Sequence, residues 1–296
     1  MNEKEIKKYI PLDKSWIIRM GVLDIINGYD DINKFLDNQK GLSDDLLALK
    51  RASESWSPLH NASANQRTSN ESIDVGESGT LYRLLQFASW KLNLNKKFIL
   101  RGTLKKRNIV NDASIINLSL GELLKLDGGT SQWATAAVLL GNKEKMVNLP
   151  YKLNLTYEAV QYWKGQRAKR LSWKSKYDET ILRQAKTYLA LLQRRKEAFK
   201  PEQAEDYCFA RIFNFITRAE GEKKWPNLRN HESNRIVEME KMIEKSKLAK
   251  IVNSRDHRVV QAVIMWSKVN MIPVKVSHPK AVNKSWPEFW NFINAT

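Results

Sequence analysis

Apolar positions return every three or four residues in five stretches of this chain, each opened by a short polar start. Ile17, Ile18, Val22, Ile25 and Ile26 follow Lys14-Ser15; Leu81, Leu84, Leu85 and Ala88 follow Gly79-Thr80; Ala134, Ala137, Val138 and Leu139 follow Ser131. Phe209, Ile212, Phe213 and Ile216 follow Asp206, and Val259, Val260, Val263 and Ile264 follow Asp256. Such spacing gathers apolar side chains on one face of a helix, and the polar residue marks its beginning. Lys97 to Arg101 and the Val-rich Pro273 to Ser277 read as short strands. Helices alternating with strands predict an α/β layout. Between Ser53 and Ser72 the chain is rich in Ser and Asn, which predicts a loop beside a weak strand. No fixed sequence period is present, although the recurring polar helix starts point to repeated units.

The first turn of a helix carries unpaired N–H groups and a partial positive charge, so several such starts brought together suit phosphate or carboxylate groups. The composition agrees with an anionic partner. Fifty Lys+Arg against 32 Asp+Glu give a formal net charge of +18, which attracts nucleic acid, acidic membrane or phosphorylated metabolites alike. With 296 residues, 42% of them hydrophobic, the chain can bury a core in one large or two modest domains. Its best apolar run, Trp16 to Ile26, is interrupted by Arg19 and Asp24 and falls short of the roughly 18 residues that span a bilayer. Met1 to Lys8 alternates charges and lacks the pattern of a secretory signal. A soluble, cytoplasmic protein, monomeric and without a membrane partner, is expected. The lone Cys208, among Tyr207, Phe209 and Phe213, reads as a packed core thiol in a reducing compartment. His60, His231, His257 and His278 have no metal-ligand spacing, and no glycine-rich nucleotide loop occurs, so neither metal nor cofactor is expected.

The polar starts carry more than caps. In order along the chain stand Lys14-Ser15 to Arg19, Gly76 to Arg83, Leu104 to Arg107, Thr130-Ser131-Gln132, Ala204 to Tyr207, His231-Glu232-Ser233-Asn234-Arg235, Asp256-His257-Arg258 and Lys284-Ser285-Trp286-Pro287-Glu288-Phe289. Taken together they resemble the 5-enolpyruvylshikimate-3-phosphate synthase family. The resemblance implies a two-lobed, inside-out α/β architecture of repeated units, with helices inside and sheets outside. It implies a first lobe at 14–176, on the shikimate 3-phosphate side, and a second at 1–13 with 177–296, carrying the catalytic carboxylates and the phosphoenolpyruvate side. The spacings from Arg107 to Thr130, and above all from Tyr151 to Asp206, are shorter than is usual for the family, so a scaffold reduced in strand hairpins is expected.

The implied activity moves the enolpyruvyl group of phosphoenolpyruvate onto the 5-hydroxyl of shikimate 3-phosphate, in the cleft between lobes, by addition and elimination. By resemblance Lys14, Asp206 and Glu232 are catalytic. Asp206 takes the hydroxyl proton, and Glu232 acts at carbon, first as acid and then as base. Ser15, Arg19, Thr130, Ser131, Gln132 and Tyr151 would hold shikimate 3-phosphate; Gly79, Arg83, Arg107, Arg235, Arg258 and Lys284 would hold phosphoenolpyruvate. A guanidinium fork suits both anions, because it meets a carboxylate or phosphate with two parallel bonds.

Four positions depart from the family's pattern. Glu77 replaces an asparagine, Leu84 and Asn108 replace prolines, and His231 replaces a lysine. An acidic Glu77 beside an anion site is unfavourable, and His231 gives up a permanent charge.

Three other readings compete. UDP-sugar enolpyruvyl transferases usually carry Cys or Asp where this chain has Lys105-Lys106-Arg107. A shortened homologue could have a changed acceptor or no catalysis. A nucleic-acid-binding protein would use Trp163 and Trp173 interleaved with Lys164, Arg167, Lys169, Arg170, Lys174 and Lys176; no recognised nucleic-acid motif accompanies them, and this reading is disfavoured. For any one residue the plain alternative is structural: a solvated lysine at 14, or a capping aspartate at 206.

Overall fold

The computed structural model describes residues 1–56, 72–141, 153–169, 173, 176–230, 233–248 and 251–296. In chain order the elements are α1 (Glu3–Lys7), α2 (Lys14–Ile26), α3 (Asp31–Asp37), α4 (Asp44–Ser55), β1 (Ile73–Gly76), α5 (Gly79–Lys91), β2 (Phe98–Leu100), α6 (Leu120–Leu123) and α7 (Gln132–Leu139). There follow α8 (Asn154–Lys169), α9 (Glu179–Leu192), α10 (Tyr207–Ile212), α11 (Arg218–Lys224), α12 (Arg235–Leu248), β3 (Ile251–Val252), α13 (His257–Val269), β4 (Lys275–Val276) and α14 (Phe289–Ala295). The fold is mixed α/β and mostly helical, with four short strands among the described residues. The chain forms two compact units, one from 13–176 and the other from 1–12 with 177–296.

In the unit 13–176, β1 and β2 pair in parallel, Ile73 opposite Phe98, with α5 as the crossover between them. Helices α2, α5 and α7 pack on one another, and α8 packs on α2 and α7. Ten successive residues of α2, Trp16 to Ile25, are buried, as are Leu81 to Ser89 of α5. The periodicity predicted one apolar face; the structure surrounds these helices on all sides. Each large apolar side chain so enclosed contributes about 1.5–3 kcal/mol, but the polar residues enclosed with them, Arg19, Asp24, Arg83 and Gln86, must find partners inside the fold.

The unit formed by 1–12 and 177–296 repeats the arrangement. Strands β3 and β4 are parallel, Val252 opposite Val276, and α13 crosses between them. Helix α13 is buried from His257 to Met265 and packs on α9, α10, α12 and the 3-10 helix Pro279–Lys284. Tyr207, Phe209, Trp286, Phe289 and Phe292 fill its core with Ile6 and Ile10. The N-terminal segment is tied in by the Trp286 indole, which donates to the Tyr9 carbonyl at 2.7 Å. Cys208 is buried in this core, and burial pushes its thiol pKa up. The helix expected to run from Asp206 through Ile216 stops at Ile212, because Asn214 adopts a left-handed φ of 61°.

The repetition lies in the helix ends. Directly before α2, α5, α7, α9, α10 and α13 stand Asp13, Ser78, Ser131, Asp178, Asp206 and Asp256. Two residues past each of these helices the backbone turns left-handed, at Gly28, Asn93, Gly141, Arg194, Asn214 and Met271. In the five whose following residue is described the next N–H closes onto the last helical turn, for example Leu94 to the Ser89 carbonyl and Ile272 to the Ser267 carbonyl, both 2.9 Å. This closure satisfies carbonyls that a helix end leaves open. Each unit contains three such helices.

Candidate functional site

In the unit 13–176, hydrogen bonds between first turns set the starts of α5 and α7 side by side. The Gln132 amide, first residue of α7, donates to the Thr80 hydroxyl at 2.7 Å and accepts from Nη1 of Arg83 at 2.8 Å. Arg83 also donates through Nε to Asp127 at 2.6 Å and through Nη1 to the Gly79 carbonyl at 3.2 Å. Asp127 accepts in addition from the Trp133 indole and the Val110 N–H. Burial lowers the pKa of Arg83, opposed by Asp127. Two motifs about fifty residues apart, Gly76 to Arg83 and Thr130 to Gln132, are thereby one structure, with Arg83 as its internal brace. Thr130 accepts the Gln132 N–H at 3.4 Å, while the Ser131 hydroxyl makes no capping bond.

Arg107 completes this group. A Cβ on Gly79 would stand 3.1 Å from Nη1 of Arg107 and 3.0 Å from Nη1 of Arg83, so the glycine gives both guanidinium groups room at the start of α5 that a larger residue would crowd. Glu77, the unfavourable acid of the sequence, faces elsewhere: its Oε2 accepts the N–H and hydroxyl of Thr103.

Arg19 is only 7% exposed. It donates to the Ser15 carbonyl at 2.6 Å and to the Thr156 hydroxyl at 3.0 Å, and Thr156 in turn meets Thr135 of α7 at 3.1 Å. Those partners are neutral. Among the described residues no carboxylate makes an ion pair with Arg19; burial pushes its pKa down to about 10 from the usual 12.5, opposed by the charge of Asp13. Lys14, at the head of the same helix, is held by Oδ2 of Asp45 at 2.7 Å.

The second unit places its residues as follows. Asp206 is fully buried and accepts from Nη2 of Arg183 (2.6 Å), the Gln184 amide (3.0 Å) and the N–H groups of Glu202 (2.9 Å) and Gln203 (3.1 Å). Arg235 and Asp256 are both buried and share a bond of 3.0 Å; Asp256 also caps α13 through the Arg258 N–H at 2.9 Å. Arg258 is 4% exposed, its Nη2 lies 3.9 Å from Asp178, and its Nε and Nη1 are buried with no hydrogen-bond partner among the described residues. Lys284 ends the 3-10 helix Pro279–Lys284 beside Ser285, whose hydroxyl accepts from Gln261 at 3.1 Å.

No family model, curated protein or solved structure matches the chain.

Glu232, Tyr151 and His231 lie outside the described residues, as does His60; α12 begins at Arg235. The structure adds Asp45, Asp127, Thr156, Asp178 and Arg183 as partners of the expected residues. Asp127 had a local signal in the glycine pair Gly128-Gly129 beside it, and Asp178 in the apolar helical run it caps; the others had none. The basic stretch after Trp163 is partly turned inward. Trp163 and Arg167 both donate to the buried Asp24, and Arg167 also bonds Asp31 and lies 4.0 Å from the Tyr29 ring centre. Burial raises the Asp24 pKa, against the pull of Trp163 and Arg167. Each unit holds half of the 50 basic and half of the 32 acidic side chains, so the charge belongs to both. Among the described residues no group of three His, Cys, Asp or Glu is placed to hold a metal ion, and no helix is long and apolar enough to cross a membrane.

Proposed function

We propose that this protein is an enolpyruvyl transferase of the shikimate branch, binding phosphoenolpyruvate and shikimate 3-phosphate and joining them with release of phosphate. The observation that carries the reading is Arg19, a buried guanidinium whose described partners are neutral oxygens. A buried charge that is compensated only in part, here by Asp13 without a bond between the two, is costly, and a ligand carboxylate would supply a bonded counter-charge. Arg258 in the first turn of α13 is also buried, with two guanidinium nitrogens that have no hydrogen-bond partner among the described residues, although its third lies 3.9 Å from Asp178. The architecture that accompanies this activity, repeated units with helices inside and sheets outside, draws support from the enclosed α2, α5 and α13 and from their shared capping.

In the proposed reaction the acceptor hydroxyl gives its proton to Asp206 as its oxygen bonds to the central carbon of phosphoenolpyruvate, and Glu232 protonates the methylene carbon. The product is a tetrahedral phosphate ketal. Phosphate then leaves with the bonding electron pair and the proton held by Asp206, while Glu232 takes a proton back from the methyl group and restores the vinyl group. Lys14, Arg83, Arg107, Arg235, Arg258 and Lys284 would stabilise the carboxylate and phosphate charges. Oδ2 of Asp206 already accepts three hydrogen bonds and Oδ1 one, and the side chain is fully buried, so Asp206 can act as base only once its Oδ1 is uncovered to the acceptor hydroxyl.

That requirement favours a second reading, an anion-binding homologue without turnover, and the pairing of Lys14 with Asp45 favours it too. Phosphate release on mixing the protein with both substrates separates the two. Turnover that disappears in Glu232→Ala is expected. Tight binding of both anions without phosphate release would select the second reading, and no binding at all would remove both.

A further inference from the structure

We propose that Glu77 and Thr103 form a relay that positions Arg107, so that the acid in the glycine turn supports anion binding instead of opposing it. This rests on the anion-binding role proposed for Arg107. Oε2 of Glu77 accepts the Thr103 N–H at 3.1 Å and the Thr103 hydroxyl at 2.9 Å. With its proton committed to Glu77, that hydroxyl oxygen is left as an acceptor, and Nη2 of Arg107 donates to it at 3.4 Å. The direction of every bond in the chain is therefore fixed: guanidinium to hydroxyl, hydroxyl to carboxylate.

The relay has a built receptacle. Gly102 has a left-handed φ of 47°, and a Cβ there would overlap the Glu77 carboxylate. An acid at 77 thus needs a glycine at 102, and the chain has both. The Thr103 N–H lies in the first turn of the 3-10 helix Gly102–Lys106, where no helical carbonyl can accept it. Glu77 caps that turn from 26 positions upstream and so fastens the segment bearing Lys105, Lys106 and Arg107 to the turn before α5. Buried Leu104 anchors the same segment from below. The result holds Nη1 of Arg107 over Gly79, at the place the proposed function requires.

Two readouts on the full-length protein test the relay: the rate at which phenylglyoxal modifies Arg107, followed by peptide mass spectrometry, and the affinity for phosphoenolpyruvate. Glu77→Ala and Thr103→Val are expected to speed modification of Arg107 and to weaken phosphoenolpyruvate binding about fivefold, the equivalent of one hydrogen bond of ~1 kcal/mol. Glu77→Gln keeps an accepting oxygen and Thr103→Ser keeps the hydroxyl, so both are expected to return the two readouts to the wild-type level. Arg107 rates that stay constant across the four variants would overturn the relay, whatever happens to thermal stability. Tighter phosphoenolpyruvate binding in both Glu77 variants would also overturn it, since the carboxylate would then be repelling the anion. A wild type that binds no phosphoenolpyruvate, with Arg107 rates in the expected order, would uphold the relay and remove the functional reading.

Discussion

The ammonium of Lys14 lies 2.7 Å from Oδ2 of Asp45, joining the first residue of α2 to the first turn of α4. The pair is partly buried, the side chains 24% and 9% exposed, so it is screened less than a surface pair. An anion that recruits Lys14 competes with Asp45 for it. Asp45→Asn is expected to tighten phosphoenolpyruvate binding roughly fivefold and to lower stability by about 1 kcal/mol. Calorimetric titration and urea unfolding measure the two. Unchanged affinity would place Lys14 outside the reach of the ligand.

Burial lowers the Arg19 pKa to about 10 from 12.5, which leaves it charged at neutral pH. A lysine there would start from a lower ordinary value and be pushed down by the same burial. Its folded pKa would be depressed, so the ammonium, and with it the attraction for a carboxylate, would be present below that pKa and lost above it. Arg19→Lys is therefore expected to bind shikimate 3-phosphate with an affinity that falls as the pH is raised above neutral, where the wild type holds constant. Parallel pH profiles for the two proteins would show that Arg19 does not contact the ligand.

Asp206 is as much a structural acceptor as a candidate base. Asp206→Ala would strand two backbone N–H groups, the Gln184 amide and part of the Arg183 guanidinium, and is expected to cost about 2–4 kcal/mol in urea unfolding. Loss of turnover in that variant would thus mix two causes. Asp206→Asn, which keeps the volume and one accepting oxygen, is expected to lose turnover while retaining most of the stability. Turnover near the wild-type rate in folded Asp206→Asn would contradict the assigned role.

The helix starts were legible because they are local: a polar cap followed by apolar residues at helical spacing needs nothing from the rest of the chain. The left-handed closures were not, since Asn93, Arg194, Asn214 and Met271 do the work of glycine. Strand β3 escaped notice because it is two residues long, and β1, holding Asp74 and Gly76, showed only as a weak strand beside the Ser- and Asn-rich stretch. The enclosure of α2 and α5 was hidden by their own polar residues, since Arg19, Asp24, Arg83 and Gln86 interrupt the apolar pattern. Arg19 finds Thr156 at 137 positions' distance and Arg83 finds Asp127 at 44, and no local pattern announces such a partner. The basic run after Trp163 looked like a solvated patch for the same reason, its main aromatic and one arginine being spent on Asp24.

The central claim is that the buried charge of Arg19 is half of an ion pair whose other half is the ligand. Urea unfolding of the wild type and Arg19→Met, each with and without saturating shikimate 3-phosphate, tests it most directly. Methionine fills similar space without charge, so the variant is expected to be at least as stable as the wild type without ligand and to gain little when ligand is added, whereas the wild type gains about 2–3 kcal/mol near a hundredfold excess over Kd. A variant that is less stable without ligand yet gains as much from it as the wild type would contradict the account.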